Sequence, residues 1–118
     1  MTKSAGPVRK VEWIGSEPRS VVVEAAGDID LHRSAEFQRA LLELPAKRPA
    51  RIVLDLSAVP YMDSSGVASL VKLLARVRRE NIALKLAGLT PRVRSVFEIT
   101  RLTTVFEIFA TTEEALNS

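Results

Sequence analysis

Cysteine is absent from this chain of 118 residues, and histidine occurs once, as His32. The lack of thiols excludes a disulfide framework, a thiolate metal site and a cysteine nucleophile. A single histidine rules out a histidine-rich metal site and leaves a serine hydrolase one possible base; we expect His32 to be a solvated surface residue. Enzymes are therefore the class with the least support, and no cofactor or catalytic residue is predicted.

Long hydrophobic runs are also missing. The longest apolar stretches, such as residues 21–23 and 73–75, are far too short to span a membrane. The start of the chain has a lysine but no apolar run behind it, unlike a signal peptide. We therefore expect a cytoplasmic protein with no membrane insertion, in which residues 1–7 form a flexible leader to one domain of residues 8–118.

Aromatic residues and excess charge of one sign are scarce. Aromatics make up 5% of the chain, too few to favour a stacking platform for single-stranded nucleic acid. Seventeen Lys and Arg against fourteen Asp and Glu leave a net charge of +3, a weak driving force for direct nucleic-acid binding. Apolar residues at 47% and charged residues at 26% are typical of a globular domain.

Strands alternate with helices along the chain. Asp30 is predicted to cap the first helix, Thr90 before Pro91 the third, and Thr111 the last. The predicted elements, in chain order, are strands 8–14 and 20–26, helix 31–44, strand 51–56, helix 64–80, strand 82–87, a helix from Pro91 to Thr100, strand 105–109 and a short final helix through Leu116. This order predicts an α/β domain with a mixed four- to five-stranded sheet, an N-terminal β-hairpin and about four helices.

The second helix is the most strongly amphipathic. Its predicted buried arc includes Val71 and Ala75, with Leu73 at the polar edge as core margin or partner contact. The opposite side carries the side chains Ser69, Lys72, Arg76, Arg79 and Glu80. We expect this basic face to be solvated, with an acidic partner as the alternative.

Two serines stand at the start of this helix, preceded by Asp63 and followed by Gly66. The first-turn N–H groups lack internal acceptors, so Asp63 or Ser64 can cap the helix and leave the other hydroxyl spare. Taken alone, this pattern favours helix capping over a functional role. Asp28, Asp30 and Asp63 could also converge on a metal, although turn formation and capping explain them better.

A family resemblance favours a functional role for the serines. Residues 55–67, Asp-Leu-Ser-Ala-Val-Pro-Tyr-Met-Asp-Ser-Ser-Gly-Val, resemble the signature of STAS domains of the anti-sigma factor antagonist type. Residues 27–30, 89–98 and 102–109 are similar to a turn, a helix start and the closing strand of that family. The resemblance covers nearly the whole chain from about residue 8.

The resemblance implies a phosphoswitch. The serine before the glycine, here Ser65, would be phosphorylated by an anti-sigma factor that is also a Ser/Thr kinase. The unphosphorylated form would bind this kinase and release a sigma factor, and a phosphatase would reset the cycle. The implied partner-binding residues are Asp28, Asp30, Met62, Asp63, Ser64, Ser65 and Gly66.

STAS domains also occur as subunits of ABC-type lipid transport complexes, which is the alternative function. The intact Asp63-Ser64-Ser65-Gly66 motif favours the phosphoswitch. We expect Ser65 in the first turn of the second helix, beside residues 28–30. A phosphate there should be attracted by free N–H groups at the helix start and repelled by Asp63 to a similar degree, so that the fold barely changes.

Overall fold

The computed structural model describes residues 6–118, so the first five residues of the expected leader lie outside the described residues. The strands are β1 (Val8–Ile14), β2 (Ser20–Ala26), β3 (Arg51–Ala58), β4 (Ala83–Ala87) and β5 (Glu107–Phe109). The helices are α1 (Ser34–Leu42), α2 (Ser64–Arg79), α3 (Pro91–Ile99) and α4 (Thr112–Leu116). Two short 3-10 turns, Leu44–Lys47 and Leu102–Thr104, follow α1 and α3.

All five strands form one sheet in the order β1-β2-β3-β4-β5. β1 and β2 are an antiparallel hairpin, whereas β2, β3, β4 and β5 run parallel to one another. The predicted mixed α/β sheet with an N-terminal hairpin and four helices is confirmed. Among residues 6–118, no helix is both long and apolar enough to cross a bilayer.

Helices cover both faces of the sheet, and this explains the composition of β3. The core under α1, α2 and α3 contains Val21, Val23 and Ala25 of β2 with Ile52, Leu54 and Leu56 of β3. On the opposite face, α4 packs through Ala115 against Val53 and Ala87. A strand buried on both faces has no solvent side, so β3 is a nearly continuous apolar run.

The buried arc of α2 differs from the predicted one. Val71 is 43% exposed and Ala75 is exposed, whereas Leu73 is fully buried and Ser69 is 2% exposed. The Ser69 hydroxyl donates to the carbonyl of Ser65 at 3.1 Å and approaches that of Ser34 on α1 at 3.4 Å. Packing against α1 therefore rotates the buried arc toward a small polar residue that hydrophobicity alone assigns to solvent. The placement of Leu73 at the polar margin was wrong.

The first helix is shorter than the predicted 31–44, because residues 31–33 form a separate turn. The backbone N–H groups of Arg33 and Ser34 both donate to the carbonyl of Asp30, and the Asp30 carboxylate accepts from His32 N–H at 3.0 Å. The N-cap position of α1 is Arg33, without a side-chain cap. Asp30 thus stabilises the turn before the helix, and its prediction as the helix N-cap was wrong.

The other helix starts were placed correctly, but their caps differ. Thr111 accepts from Glu114 N–H at 3.1 Å, as predicted for α4. Thr90 precedes α3 as predicted, yet its hydroxyl donates to the carbonyl of Val59 at 2.8 Å instead of capping the helix. This bond ties the start of α3 to the loop between β3 and α2. The last strand is shorter than predicted, because a 3-10 turn precedes it.

Candidate functional site

Two loops meet at the carboxyl ends of β2 and β3. Because these strands are parallel neighbours, the segments that follow them leave the sheet at the same edge. Ile29 N–H donates to the Tyr61 carbonyl at 2.9 Å, and Asp63 N–H donates to the Ile29 carbonyl at 3.1 Å. The loop at residues 28–30 therefore lies directly against the start of α2, as the sequence predicted.

The Asp63 carboxylate caps the N-terminus of α2 and also binds the loop that follows β2. Its Oδ1 accepts from the N–H groups of Ser65 at 2.9 Å and Gly66 at 3.3 Å. Its Oδ2 accepts from Leu31 N–H at 3.1 Å. Asp63 is thus the N-cap of α2, one of the two possibilities that the sequence left open. The expectation that these N–H groups are free to bind a phosphate was wrong for Ser65 and Gly66.

The two serines differ in their surroundings. Ser65 is half-buried, and its hydroxyl donates to Asp63 Oδ1 at 2.5 Å. Ser64 is exposed at the first position of the helix. The helix start therefore holds one oriented hydroxyl in its first turn beside one exposed hydroxyl.

The hydrogen bonds around Asp63 favour its charged form. The Ser65 side chain is the largest contributor lowering the pKa of this carboxyl group below its ordinary value, and the N–H groups of Gly66, Ser65 and Leu31 add to the effect. Partial burial opposes them by raising the pKa, but less strongly than all the hydrogen bonds together. Asp63 is consequently an anion at neutral pH, and Ser65 donates to a full negative charge.

Gly66 allows α2 to approach the neighbouring loop. A Cβ at this position would lie 2.6 Å from Met62 Cγ, 2.9 Å from Ile29 Cγ2 and 3.1 Å from the Ile29 carbonyl oxygen. Met62 is 1% exposed, and Gly66 is buried as well. Both were predicted to bind a partner. The Met62 side chain and the Gly66 backbone lie buried beneath the site, and a direct contact of either with a partner stays a prediction.

The three aspartates of the site have different surroundings. Among residues 6–118, no group of three or more His, Cys, Asp or Glu side chains is placed to hold a metal ion. Asp28 is exposed and its carbonyl accepts from Arg33 Nη1 at 3.0 Å, while Asp30 supports the following turn. The structure thus shows helix capping by Asp63 and turn formation by Asp30. His32 is exposed, as predicted.

Two residues next to the site were not predicted from the sequence to belong to it. Leu31 is 75% exposed, although its backbone is bound to Asp63. Arg92, at the start of α3, lies over the Tyr61 ring with its guanidinium carbon 5.1 Å from the ring centre. Leu31 could have been suspected, because in the predicted helix 31–44 it does not share the face of Phe37 and Leu41. Arg92 could not, because about thirty residues separate it from Tyr61 and only the fold brings them together.

Comparisons with known proteins identify the family of this chain. The STAS domain model matches residues 14–115. An anti-sigma-B factor antagonist of Listeria monocytogenes is 35% identical over 83 residues, which cover 70% of this chain and 73% of that protein. A protein of the same name from Bacillus subtilis is 32% identical over 93 residues, covering 79% and 84%.

Solved structures share the fold. A putative anti-sigma factor antagonist from Thermotoga maritima superposes with a TM-score of 0.80 at 20% identity, covering 91% of this chain and 92% of that one. The Bacillus cell fate determinant SpoIIAA in its phosphorylated form gives a TM-score of 0.67 at 21% identity, covering 92% and 97%. The chain belongs to the STAS domain family, in its group of anti-sigma factor antagonists.

Proposed function

We propose that this protein is a partner-switching anti-sigma factor antagonist whose switch is Ser65. In its unphosphorylated form it binds an anti-sigma factor that is a Ser/Thr kinase, and this binding releases a sigma factor. Phosphorylation of Ser65 ends the binding, and a phosphatase restores it. The observation that carries the proposal is the Ser65 hydroxyl, oriented by the Asp63 carboxylate at the half-buried start of α2.

The geometry favours Ser65 over Ser64 as the phosphate acceptor. A kinase must hold the attacking hydroxyl in line with the transferred phosphoryl group, so a hydroxyl that is already oriented loses less freedom on binding. The Ser65 hydroxyl has such an orientation through its 2.5 Å bond to Asp63. Because the pKa of Asp63 is lowered, this carboxylate is a weak base and acts by positioning Ser65.

A phosphate on Ser65 would disturb the contacts that its hydroxyl makes. The phosphoester oxygen no longer carries the proton that Ser65 donates to Asp63. The added charge of about −1.5 to −2 would lie beside that anion. Because Asp63 already occupies the N–H groups of Ser65 and Gly66, the phosphate gains little from the helix start and is directed toward solvent. The fold can stay intact while the surface that the kinase must accept changes in both charge and size.

The proposed contact surface combines acidic residues with one exposed apolar residue. Asp28, Asp30, Asp63 and the two serines present oxygen atoms, and Leu31 is exposed among them. A complementary kinase surface would carry basic groups around an apolar pocket. A phosphate beside these carboxylates would then leave a mismatched charge in the interface, and an expected loss of several kcal/mol corresponds to about two to three orders of magnitude in affinity.

The isolated domain is proposed to act as kinase substrate and ligand, without catalysis of its own. The test is incubation with candidate partner kinases and ATP, followed by intact mass and peptide mapping. We expect one added phosphate on the wild type and on Ser64→Ala, and none on Ser65→Ala. Phosphate on Ser64, or an unchanged mass with every kinase that binds the protein, would contradict the assignment.

A further inference from the structure

The outer edge of β1 carries apolar side chains that the helices leave partly uncovered. β1 ends the sheet, so one side of its backbone pairs with β2 and the other side has no strand beside it among residues 6–118. Val11 is 46% exposed and Ile14 is 37% exposed. A groove of about 390 Å³ lies between β1 and the end of α1, lined in part by Val8, Val11, Trp13, Ala40 and Leu44.

This edge differs from the opposite edge of the sheet. β5 has three residues, whereas β1 has seven, and a long edge strand offers unpaired backbone donors and acceptors to another chain. Edge strands are often protected by charges that repel a second copy. Here the two charged residues that flank Val11, Lys10 and Glu12, have opposite signs. Lys10 Nζ lies 3.9 Å from Glu12 Oε1.

We propose that β1 pairs antiparallel with β1 of a second copy of this chain, about a two-fold axis at Val11. In this register, Val11 faces its own counterpart. Lys10 lies opposite Glu12 of the partner subunit, and Glu12 lies opposite Lys10 of the partner subunit. Opposite charges directly across a strand pair are stabilising, so one strand supplies both halves of two cross-strand ion pairs.

The charge pattern selects this register over its neighbours. A symmetric antiparallel pair places one residue opposite itself, and centring the axis on Lys10 or on Glu12 would put like charges face to face. Centring it on Val11 places the exposed apolar side chain at the axis, on the same sheet face as the groove. The axis is perpendicular to the sheet, so the two grooves adjoin and the sheets join into one of ten strands.

The dimer would leave the phosphorylation site accessible in both copies. Ser65 lies in the first turn of α2, beside the loops that follow β2 and β3. The proposed pairing between two copies uses the free side of β1. Self-association therefore depends neither on the kinase nor on the state of Ser65. Its test can fail without affecting the proposed switch.

The first test is sedimentation velocity of the full chain from micromolar to millimolar concentration. We expect a concentration-dependent dimer in the wild type and a monomer for Val11→Lys, which places two ammonium groups at the axis. The matched control is Val71→Lys on α2, because Val71 is 43% exposed against 46% for Val11. A wild-type monomer at millimolar concentration, or a dimer unaffected by Val11→Lys, would overturn the proposal.

The second test is charge complementation. Lys10→Glu alone and Glu12→Lys alone each place like charges across the axis, so each should weaken self-association about tenfold or more. Mixed in equal amounts, the two variants restore both opposite-charge pairs and should form a heterodimer as stable as the wild-type dimer. A simple loss of folding cannot produce this recovery. Variants that dimerise like the wild type, or a mixture that remains monomeric, would refute the register.

Discussion

Asp63 Oδ2 accepts a hydrogen bond from the backbone N–H of Leu31, 32 residues earlier in the chain, at 3.1 Å. The other oxygen of the same carboxylate caps α2 and binds the Ser65 hydroxyl. One side chain thus couples the proposed phosphate acceptor to the loop that carries Leu31. A change at Ser65 therefore alters a contact of the carboxylate that also holds the Leu31 loop.

Replacing Asp63 should cost stability and loosen the neighbouring loop. Asp63→Ala removes the N-cap of α2, worth about 0.5–2 kcal/mol, and leaves Leu31 N–H without its acceptor. Chemical denaturation measures the loss, and amide hydrogen exchange at Leu31 should accelerate. Asp28→Ala is the control, because that side chain is exposed at the same edge. Equal stability of Asp63→Ala and the wild type would contradict the capping role.

The same carboxylate predicts a pH dependence of folding. Because the pKa of Asp63 is lower in the folded protein than its ordinary value of 3.8, its contribution to stability is complete above that value. The contribution is lost as the pH falls below 3.8 and through the folded-state pKa. We expect the free energies of unfolding of wild type and Asp63→Asn to converge in acid, and their difference to reach its full value by about pH 5. A constant difference across this range would refute the prediction.

Ser65→Ala should raise the pKa of Asp63 toward its ordinary value. The Ser65 hydroxyl is the largest contributor to the lowered pKa, and alanine removes it while keeping the backbone donors. Titration of the Asp63 carboxyl carbon by NMR measures the shift directly. Ser64→Ala is the matched control and should leave the titration where it is. The same shift in both variants would mean that the Ser65 hydroxyl is not the cause.

Gly66→Ala should destabilise the fold by forcing α2 away from the neighbouring loop. The new methyl group would stand 3.1 Å from the Ile29 carbonyl oxygen and closer still to Ile29 and Met62 side chains. Overpacking of this kind typically costs about 1–3 kcal/mol, although alanine is the better helix former. Thermal unfolding measures the balance, with Ser64→Ala on the exposed side as control. An increase in the melting temperature would contradict this prediction, because it would show that Ile29 and Met62 move aside at little cost.

Phosphomimicry should separate binding from folding. Ser65→Asp places a carboxylate beside Asp63 without a proton to share, so we expect weak kinase binding with a melting temperature near that of the wild type. Ser65→Ala should bind the kinase and resist phosphorylation. Calorimetry against the partner kinase measures the affinities, and Ser64→Asp tests whether any added charge at the helix start suffices. Equal affinity of Ser65→Asp and the wild type for the kinase would contradict the proposed phosphoswitch.

Local chemistry determined much of the secondary structure of this protein. Strand and helix periodicity specified the α/β order, and the start of α2 was predictable because an aspartate and two serines supply cap chemistry there. Pro91 and Thr111 marked the starts of α3 and α4 in the same way. These features depend on neighbours within about four residues, so they can be predicted from the local sequence.

The tertiary structure decided the contacts between segments that are distant in the chain. The burial of Ser69 depends on its approach to Ser34, and the turn before α1 is joined to α2 by the bond between Leu31 and Asp63. Asp63, the N-cap of α2, also binds that loop through its second oxygen. Such choices follow from which strands lie side by side in the sheet, and parallel pairing of β2 with β3 brings together backbone groups that no local pattern connects.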